Sequence, residues 1–111
     1  MIGIDLIELE DFNADKFFLL LSKNEQDYVN RSQNPQRRKE VIAGLTAGKE
    51  AVFKAMNFQH LGIEVLKSIE IGHNDYGKPF VLINGERRNV EISISHTKTT
   101  AVAVAIMLQK K

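Results

Sequence analysis

Alanine recurs every four residues through the middle of this chain, from Ala43 to Ala55, and this stripe constrains the fold more than any other feature. Residues four apart lie on one side of an α-helix, so such a helix has one side thin enough for close packing against a sheet. Asn34 suits the N-cap, and Pro35 suits the first helical position because its missing N–H would be unpaired there anyway. We predict a helix from Pro35 to about Met56.

Most of the remaining chain alternates between apolar and polar residues as β-strands do, and two short stretches have helical spacing. Asn13 is an N-cap residue type at the start of the first short stretch. Turn-forming residues at 74–79 and 84–85 separate the C-terminal segments. We predict strands over residues 2–9, 63–71, 80–83, 90–95 and 101–108, and short helices over 14–22 and 23–30. The order is α+β, with the long helix packed on an antiparallel sheet.

The composition predicts one compact domain spanning residues 1–111. Hydrophobic residues make up 43% and charged residues 26% of the chain, which is typical of a packed domain and not of a disordered one. Fifteen basic side chains against 14 acidic ones leave a net charge of +1, which gives no reason to expect nucleic-acid binding. The absence of cysteine excludes disulfide scaffolds, thiolate zinc sites and cysteine nucleophiles.

No stretch predicts a membrane or secretory segment. The longest apolar run, residues 101–108, is too short for a membrane helix. The N-terminal segment carries acidic residues and no basic lead, unlike a secretory signal. We therefore expect a cytoplasmic protein that does not act on a membrane.

Three charged residues stand out as candidates for chemistry. Asp5 interrupts an otherwise apolar strand, where aspartate is disfavoured, so it is either an edge or solvent-facing residue or a metal-binding or catalytic carboxylate. Glu50 and Lys54 lie four apart on the predicted long helix, in the order that favours an ion pair. They form either an ordinary surface salt bridge or, because alanines flank them, a pair that lines a cleft and needs partners.

The link between the last two predicted strands is another candidate. His96 ends a strand, and residues 97–100 add hydroxyls, an ammonium and turn amides. These groups suit a phosphate, although they are equally typical of a polar hairpin. The chain has no glycine-rich phosphate loop of standard spacing. Ser95 and His96 point to opposite faces of a strand, which argues against a serine hydrolase triad.

Four motifs, in this order, resemble the holo-acyl-carrier-protein synthases, which are short 4′-phosphopantetheinyl transferases. They are GID at 3–5, AGKEAVFKA at 47–55, YGKP at 76–79 and SISHTKTTAVAVA at 93–105. The likeness spans nearly the whole chain and includes its length. It implies the 4′-phosphopantetheinyl transferase fold. It also implies transfer of 4′-phosphopantetheine from coenzyme A to a serine of apo acyl carrier protein, with release of adenosine 3′,5′-bisphosphate and with Mg²⁺ as cofactor.

The resemblance implies a role for each candidate residue. Asp5 and Glu50 would hold Mg²⁺, which prefers hard oxygen ligands. Glu50 and Lys54 are the implied catalytic residues: Glu50 removes the serine proton, directly or through water, and Lys54 reaches the phosphates of coenzyme A. The implied coenzyme A-binding residues are Lys54, Gly77, Lys78, Pro79, His96 and Thr97.

The chain departs from the family pattern at places that concern the carrier protein. Asp11 stands where relatives commonly carry an arginine that helps hold the acidic recognition helix of the carrier, and Leu45 and Gly48 stand where arginine and alanine are usual. Replacement positive charge is available at Lys16, Lys23, Arg31, Arg37, Arg38 and Lys39. Of these, Lys16 and Arg37 are the docking candidates, while the run at 37–39 is as typical of a solvated surface.

The resemblance also implies a homotrimer, with coenzyme A bound between neighbouring protomers. The last strand gives independent support because residues 101, 103 and 105 are alanines on one face, while Val102, Val104 and Ile106 share the other. A strand that is apolar on both faces must be covered on both. The alternative is a monomer in which the long helix covers one face and a loop covers the other.

Two other functions remain open for the same residues. One is a binding or regulatory module that keeps the fold without catalysis, against which the presence of Asp5, Glu50 and Lys54 argues. The other is a different Mg²⁺-dependent phosphotransferase or phosphodiester hydrolase that acts on a nucleotide.

Overall fold

The computed structural model describes residues 1–58 and 62–108. Its helices and strands, in chain order, are β1 (Ile2–Glu8), α1 (Ala14–Leu19), α2 (Lys23–Val29), α3 (Pro35–Ala55), α4 (Ile63–Ser68), β2 (Ile69–His73), β3 (Pro79–Ile83), β4 (Glu86–Arg87), β5 (Val90–His96) and β6 (Thr100–Met107). The described strands pair antiparallel throughout. The predicted α+β class is confirmed.

The strands form two three-stranded sheets, in the orders β1-β6-β5 and β2-β3-β4. In the first sheet, Asp5 of the edge strand β1 lies opposite Ala103, and His96 at the end of β5 lies opposite Ala101. Asp5 and His96 are thus near the same end of this sheet, on strands that β6 separates.

The long helix α3 packs against β1, β5 and β6 of the first sheet and against β2 of the second. Its alanine stripe lies in the interior as predicted, since Ala47, Ala51 and Ala55 are at most 1% exposed. Asn34 caps the helix by accepting a hydrogen bond from the Arg37 amide at 2.9 Å. The helix therefore begins where the sequence predicts and ends one residue earlier.

Glycine brings β1 into direct contact with α3. A Cβ atom at Gly3 would collide with the Ala51 carbonyl oxygen and lie 2.7 Å from the Ala55 nitrogen. On the β5 side of the helix, a Cβ atom at Gly48 would lie 3.0 Å from a methyl carbon of Ile94. Small residues on both partners let the helix backbone approach the sheet, because no side chain stands between them.

The short helices are also present, with shorter ends than predicted. Asn13 accepts from the Lys16 amide at 3.1 Å and caps α1, which ends at Leu19 rather than Ser22. Ser22 instead caps α2 through a reciprocal capping box with Glu25. A residue that caps the second helix cannot continue the first, because the N-cap has extended backbone angles.

The prediction of a strand over residues 63–71 is wrong for its first six residues. Residues 63–68 form α4, in which Leu66 is the buried residue and its amide donates to the Gly62 carbonyl at 3.0 Å. Strand β2 begins at Ile69. A short apolar run does not distinguish a strand from a helical turn, and Ile63, which supplied one end of the alternation, is exposed.

On one face of the first sheet, β1 and β6 present apolar side chains that no other described element covers. The opposite face packs on α3, and its alanines at 101, 103 and 105 are buried. On the open face Ile2, Ile4 and Leu6 are 57–68% exposed, and Ile106 is 40% exposed. Within the described ranges, no helix is long and apolar enough to cross a bilayer.

Candidate active site

The first part of the site lies where β1 meets the C-terminal half of α3. Asp5 shares a strand face with Gly3, so the close approach at Gly3 turns the Asp5 side chain towards the helix. Its side chain is 13% exposed although β1 is an edge strand. Of the two interpretations of Asp5 from sequence, the solvent-facing one does not fit this position.

Lys54 connects the helix to this strand. Its ammonium donates to the Ile4 carbonyl at 2.9 Å and to Asp5 Oδ1 at 3.2 Å, and its side chain is 52% exposed. Among the ion pairs of the described residues, Lys54 pairs with Asp5 and not with Glu50. The local salt bridge that the four-residue spacing favours is thus replaced by a contact to a different element.

Glu50 lies beside Asp5 and interacts with it strongly. Burial raises the pKa of Glu50 to about 8, and the hydrogen bond with Asp5 and the charge of Asp5 act in the same direction, while Lys54 opposes them. Two carboxylates this close do not both ionise readily, since each disfavours the charge of the other. The pair therefore keeps a proton at neutral pH unless a cation replaces it.

One oxygen of this pair has no partner. Asp5 Oδ2 is buried and accepts no hydrogen bond from an amide, hydroxyl or ammonium group of the described residues, so only the proton shared with Glu50 or a cation can satisfy it. A buried carboxylate oxygen without a donor is costly, and a hard cation would satisfy it. In the described part of the chain no three His, Cys, Asp or Glu side chains cluster, so the donor set is limited to two carboxylates. That set fits Mg²⁺, which usually keeps several waters and binds one or two carboxylates plus substrate phosphates.

The second part of the site is a cavity of about 380 Å³ between α3, β5 and the β2–β3 turn. Gly77, Lys78 and Pro79 of the predicted coenzyme A-binding set line it, together with His96. Gly77 has φ of +83°, a conformation that favours glycine and makes this turn possible. Tyr28 and His73, stacked at 3.9 Å between ring centroids, also line the cavity.

Two predicted residues have other surroundings. Thr97 is not among the described residues that line the cavity, and its hydroxyl instead accepts from the amides of Thr99 and Thr100 to close the β5–β6 turn. Of the two docking candidates, Arg37 lines the cavity, whereas Lys16 lies on α1 with its ammonium 5.7 Å from the ring centroid of Phe17. The structure thus gives Arg37 a place beside the predicted coenzyme A-binding residues.

The carboxylate pair and the cavity are separate within one chain. None of Asp5, Glu50 and Lys54 lines the cavity. At the rise of an α-helix, Gly44 in the cavity wall and Glu50 lie about 9 Å apart along α3. The residues that the sequence predicts for one site thus fall into two groups.

Sequence reasoning missed two acidic residues. Glu40 accepts a hydrogen bond from His96 at 2.9 Å, and Glu25 forms a buried ion pair with Lys49 at 2.7 Å. Glu40 lies four and eight residues before Gly44 and Gly48, on a helix side otherwise made of small residues. That pattern was the signal available for Glu40. For Glu25 the available signal was the capping-box spacing with Ser22. This spacing explains the position of Glu25 in the first turn of α2 but not its buried pairing with Lys49.

Comparison with known proteins identifies the class. Residues 1–107 match the family model of the 4′-phosphopantetheinyl transferase superfamily. The chain therefore belongs to that superfamily.

Its relatives narrow the class further. The chain is 41% identical over 113 residues to a holo-acyl-carrier-protein synthase of Oceanobacillus iheyensis, with 96% of this chain and 93% of that protein covered. It is 35% identical to the enzyme of the same name from Geobacillus sp. WCH70, with the same coverage. These relatives confirm the predicted resemblance and the prediction that the chain is an enzyme of the holo-acyl-carrier-protein synthase type.

A solved structure supports the fold and the enzyme type together. The holo-acyl-carrier-protein synthase of Bacillus anthracis, in complex with CoA (3′,5′-ADP), superposes with a TM-score of 0.79 at 39% identity. The match covers 94% of this chain and 91% of that one. The superposition with this relative therefore confirms the predicted fold.

Proposed function

We propose that this enzyme transfers 4′-phosphopantetheine from coenzyme A to a serine hydroxyl of apo acyl carrier protein and releases adenosine 3′,5′-bisphosphate. The observation that carries the proposal is the convergence of Asp5, Glu50 and Lys54, with a buried Asp5 oxygen that lacks a partner. The names of the relatives and the coenzyme A complex of the Bacillus anthracis enzyme support the choice of substrates.

Asp5 and Glu50 are the residues that would hold the Mg²⁺ ion. Their buried carboxylates supply the oxygen ligands, and the unpartnered Asp5 oxygen is a free donor. When bound, the cation neutralises charge on the pyrophosphate of coenzyme A. Lys54 contacts Asp5, and because its side chain is 52% exposed, its ammonium can also turn towards the same phosphates.

The transfer step is a displacement at phosphorus. The serine oxygen forms a bond to the β-phosphorus of coenzyme A, and the bond from that phosphorus to adenosine 3′,5′-bisphosphate breaks. Glu50 in its ionised form accepts the serine proton, directly or through a water. The negative charge that develops on the leaving phosphate is stabilised by Lys54.

The cavity at His96 is the proposed binding site for the nucleotide end of coenzyme A. Lys78 and Arg37 supply positive charge on two of its sides, and the Gly77–Pro79 turn supplies backbone. Docking of the carrier protein is proposed at the basic side chains of α1 and α3, Lys16 and Arg37. Thr97 contributes as the residue that holds the turn after His96.

We further propose that the enzyme works as a homotrimer with the active site between neighbouring protomers. Two observations support it: the first sheet exposes Ile2, Ile4 and Leu6, and the two groups of site residues are separate within one chain. A neighbouring copy that covers the apolar face would bring its own residues to the carboxylate pair. Val104→Glu, which places a charge on that face, is expected to lose assembly and activity together by light scattering and by assay. A fully active monomer would refute the trimer.

Mass spectrometry of apo carrier protein incubated with coenzyme A and Mg²⁺ tests the reaction. The expected result is carrier that gains the phosphopantetheine mass, with equal release of adenosine 3′,5′-bisphosphate. Release of the bisphosphate without modified carrier would instead indicate a nucleotide hydrolase. Binding of coenzyme A without either product would indicate a non-catalytic module.

A further inference from the structure

The contact between Glu40 and His96 joins two elements of the cavity wall. Glu40 is on the second turn of α3 and His96 is the last residue of β5, and Glu40 Oε1 accepts from His96 Nδ1 at 2.9 Å. Their side chains are 13% and 22% exposed, respectively. A carboxylate in this position determines which ring nitrogen of the histidine carries a proton, because it can only accept.

Glu40 is itself held in place. Gln36, one turn earlier on α3, donates to Glu40 Oε2 at 3.1 Å and to the Lys98 carbonyl at 3.1 Å. The same glutamine therefore ties the β5–β6 turn to the helix that carries the carboxylate. The turn is closed further by Thr97, which accepts from two amides. His96 thus directly precedes a turn that several hydrogen bonds close, and it faces a carboxylate that Gln36 holds in place.

The charges around Glu40 keep it ionised. Hydrogen bonds from Gln36 and His96 and the nearby charges of His96 and Arg37 hold the pKa of Glu40 below its usual range, although burial opposes them. The titratable groups that share the cavity with His96 are Arg37 and Glu40 on α3, Tyr28 on α2, His73 on β2 and Lys78 in the β2–β3 turn. Of these groups, Glu40 is the anion in contact with the ring, so Nδ1 is the ring nitrogen that carries a proton and donates.

We propose that Glu40 is a positioning residue that fixes the His96 ring, with Nδ1 protonated and Nε2 presented to a phosphate group of the nucleotide in the cavity. This inference rests on the proposed function, because it takes the nucleotide end of coenzyme A as the occupant. With Nδ1 donating to Glu40, Nε2 is the ring nitrogen left to face the phosphate, to which it donates a charge-assisted hydrogen bond when the ring carries both protons. Glu40 touches neither the substrate nor the reacting atoms.

The test compares Glu40→Gln with Glu64→Gln, which removes an exposed carboxylate on α4. Both are measured by calorimetric titration with adenosine 3′,5′-bisphosphate and by nitrogen NMR of the His96 ring. Glu40→Gln is expected to weaken binding about 10-fold, the lower end of the effect of carboxylates that support metal-binding histidines. It is also expected to change the chemical shift of His96 Nδ1, because that nitrogen loses its carboxylate acceptor. Glu64→Gln is expected to match the wild type in both measurements.

Steady-state kinetics adds a readout that a merely structural role would not move. Glu40→Gln should raise KM for coenzyme A and leave kcat within about twofold, because the interaction serves binding. Gln36→Ala, which leaves the Glu40 carboxylate intact, should give a smaller change of the same kind and guards against a folding defect in Glu40→Gln.

The outcomes separate this inference from the proposed function. If His96→Ala weakens bisphosphate binding and Glu40→Gln leaves both affinity and the His96 spectrum unchanged, the positioning role is overturned and the nucleotide site stands. If His96→Ala does not weaken binding, the placement of the nucleotide at His96 is wrong, and the role of Glu40 fails with it. Transfer by the wild-type protein in the mass-spectrometric assay tests the proposed reaction independently of both results.

Discussion

Two carboxylate–lysine clusters meet α3 at the neighbouring positions 49 and 50, and they differ in how fully their oxygen atoms are used. Glu25 Oε1 accepts from the Ser22 amide and contacts the Lys49 ammonium, while Oε2 accepts from the Ile71 amide at 2.8 Å. Lys49 also donates to the Leu66 carbonyl. In the other cluster, Asp5 Oδ2 has no partner.

The two clusters are also exposed differently. The side chains of Lys49 and Glu25 are 3% and 0% exposed, whereas Lys54 is 52% exposed. The Lys49 cluster joins α2, α3, α4 and β2, and each charged side-chain atom in it has at least one partner among the described residues. We call the Lys49–Glu25 cluster saturated, because its charged atoms all have partners, and the Asp5–Glu50–Lys54 cluster unsaturated. The comparison teaches that a saturated cluster stabilises the fold, while an unsaturated cluster at the surface is available for chemistry.

The largest effect is expected from breaking the saturated cluster. Lys49→Met leaves the Glu25 charge buried without its cation, which should lower the free energy of unfolding by about 3–5 kcal/mol. Urea denaturation measures this change. The control is Lys23→Met, which removes an exposed pair with Asp27 and should cost less than about 1 kcal/mol. Equal losses in the two variants would show that burial does not distinguish the pairs.

Breaking the unsaturated cluster should reduce activity strongly and change the free energy of unfolding little. Asp5→Ala and Glu50→Ala are each expected to reduce transfer by more than about 100-fold, because either change removes a ligand for the cation. The free energy of unfolding should stay within about 1 kcal/mol of the wild type, since the loss of one carboxylate relieves repulsion at the other. Transfer assays and thermal unfolding of the same samples measure both. Wild-type rates at saturating coenzyme A would contradict the two-carboxylate site.

Lys54 provides a finer comparison within the unsaturated cluster. Lys54→Ala should slow transfer about tenfold or more, and Lys54→Arg should recover only part of it, because a planar guanidinium does not replace a compact ammonium. Initial rates at several coenzyme A concentrations give the effect. Equal activity of the three proteins would mean that Lys54 is only a neighbour of the site.

The last comparison concerns pH, whose effect on stability is the smallest of these when taken per pH unit. In a chelated buffer, folded Glu50 keeps a proton that the unfolded chain loses above the ordinary pKa of 4.5, so the free energy of unfolding should fall as pH rises towards about 8. The slope should stay below about 1.4 kcal/mol per pH unit, the value for one whole proton. Glu50→Gln should lose this slope, and saturating Mg²⁺ should flatten it. A slope that persists in Glu50→Gln would assign it to another group.

The sequence predicts the local parts of this molecule well because their causes are local. The alanine stripe and Asn34 define α3, and Asn13 defines the start of α1. Residues 63–68 fail because their apolar alternation is compatible with one helical turn, and burial of Leu66 decides between the two.

The residues of the candidate site also divide into those that a local sequence pattern indicates and those that only tertiary contacts reveal. Asp5 was singled out as an aspartate in an apolar strand, and Glu50 and Lys54 as a pair four residues apart on a helix. The family resemblance assigned the three to one site, and the structure brings them together. Glu40 and Glu25 were missed because their partners lie 56 and 46 residues away along the chain, at His96 and Ile71, and no local pattern reports such a contact. The separation of the site residues into one group at the carboxylates and another at the cavity likewise results from the packing of the fold.

The contact of Gly3 with α3 has a consequence for the choice of ion. Mg²⁺ binds oxygen at about 2.0–2.1 Å and Ca²⁺ at about 2.3–2.6 Å, so a few tenths of an ångström separate the two. The β1 and α3 backbones touch at Gly3, where an added Cβ atom would lie 2.7 Å from the Ala55 nitrogen, and this contact limits how far apart Asp5 and Glu50 can lie. If these two carboxylates hold the ion as proposed, a side chain added at Gly3 would push the two backbones apart, widen the space between the carboxylates and favour the larger ion.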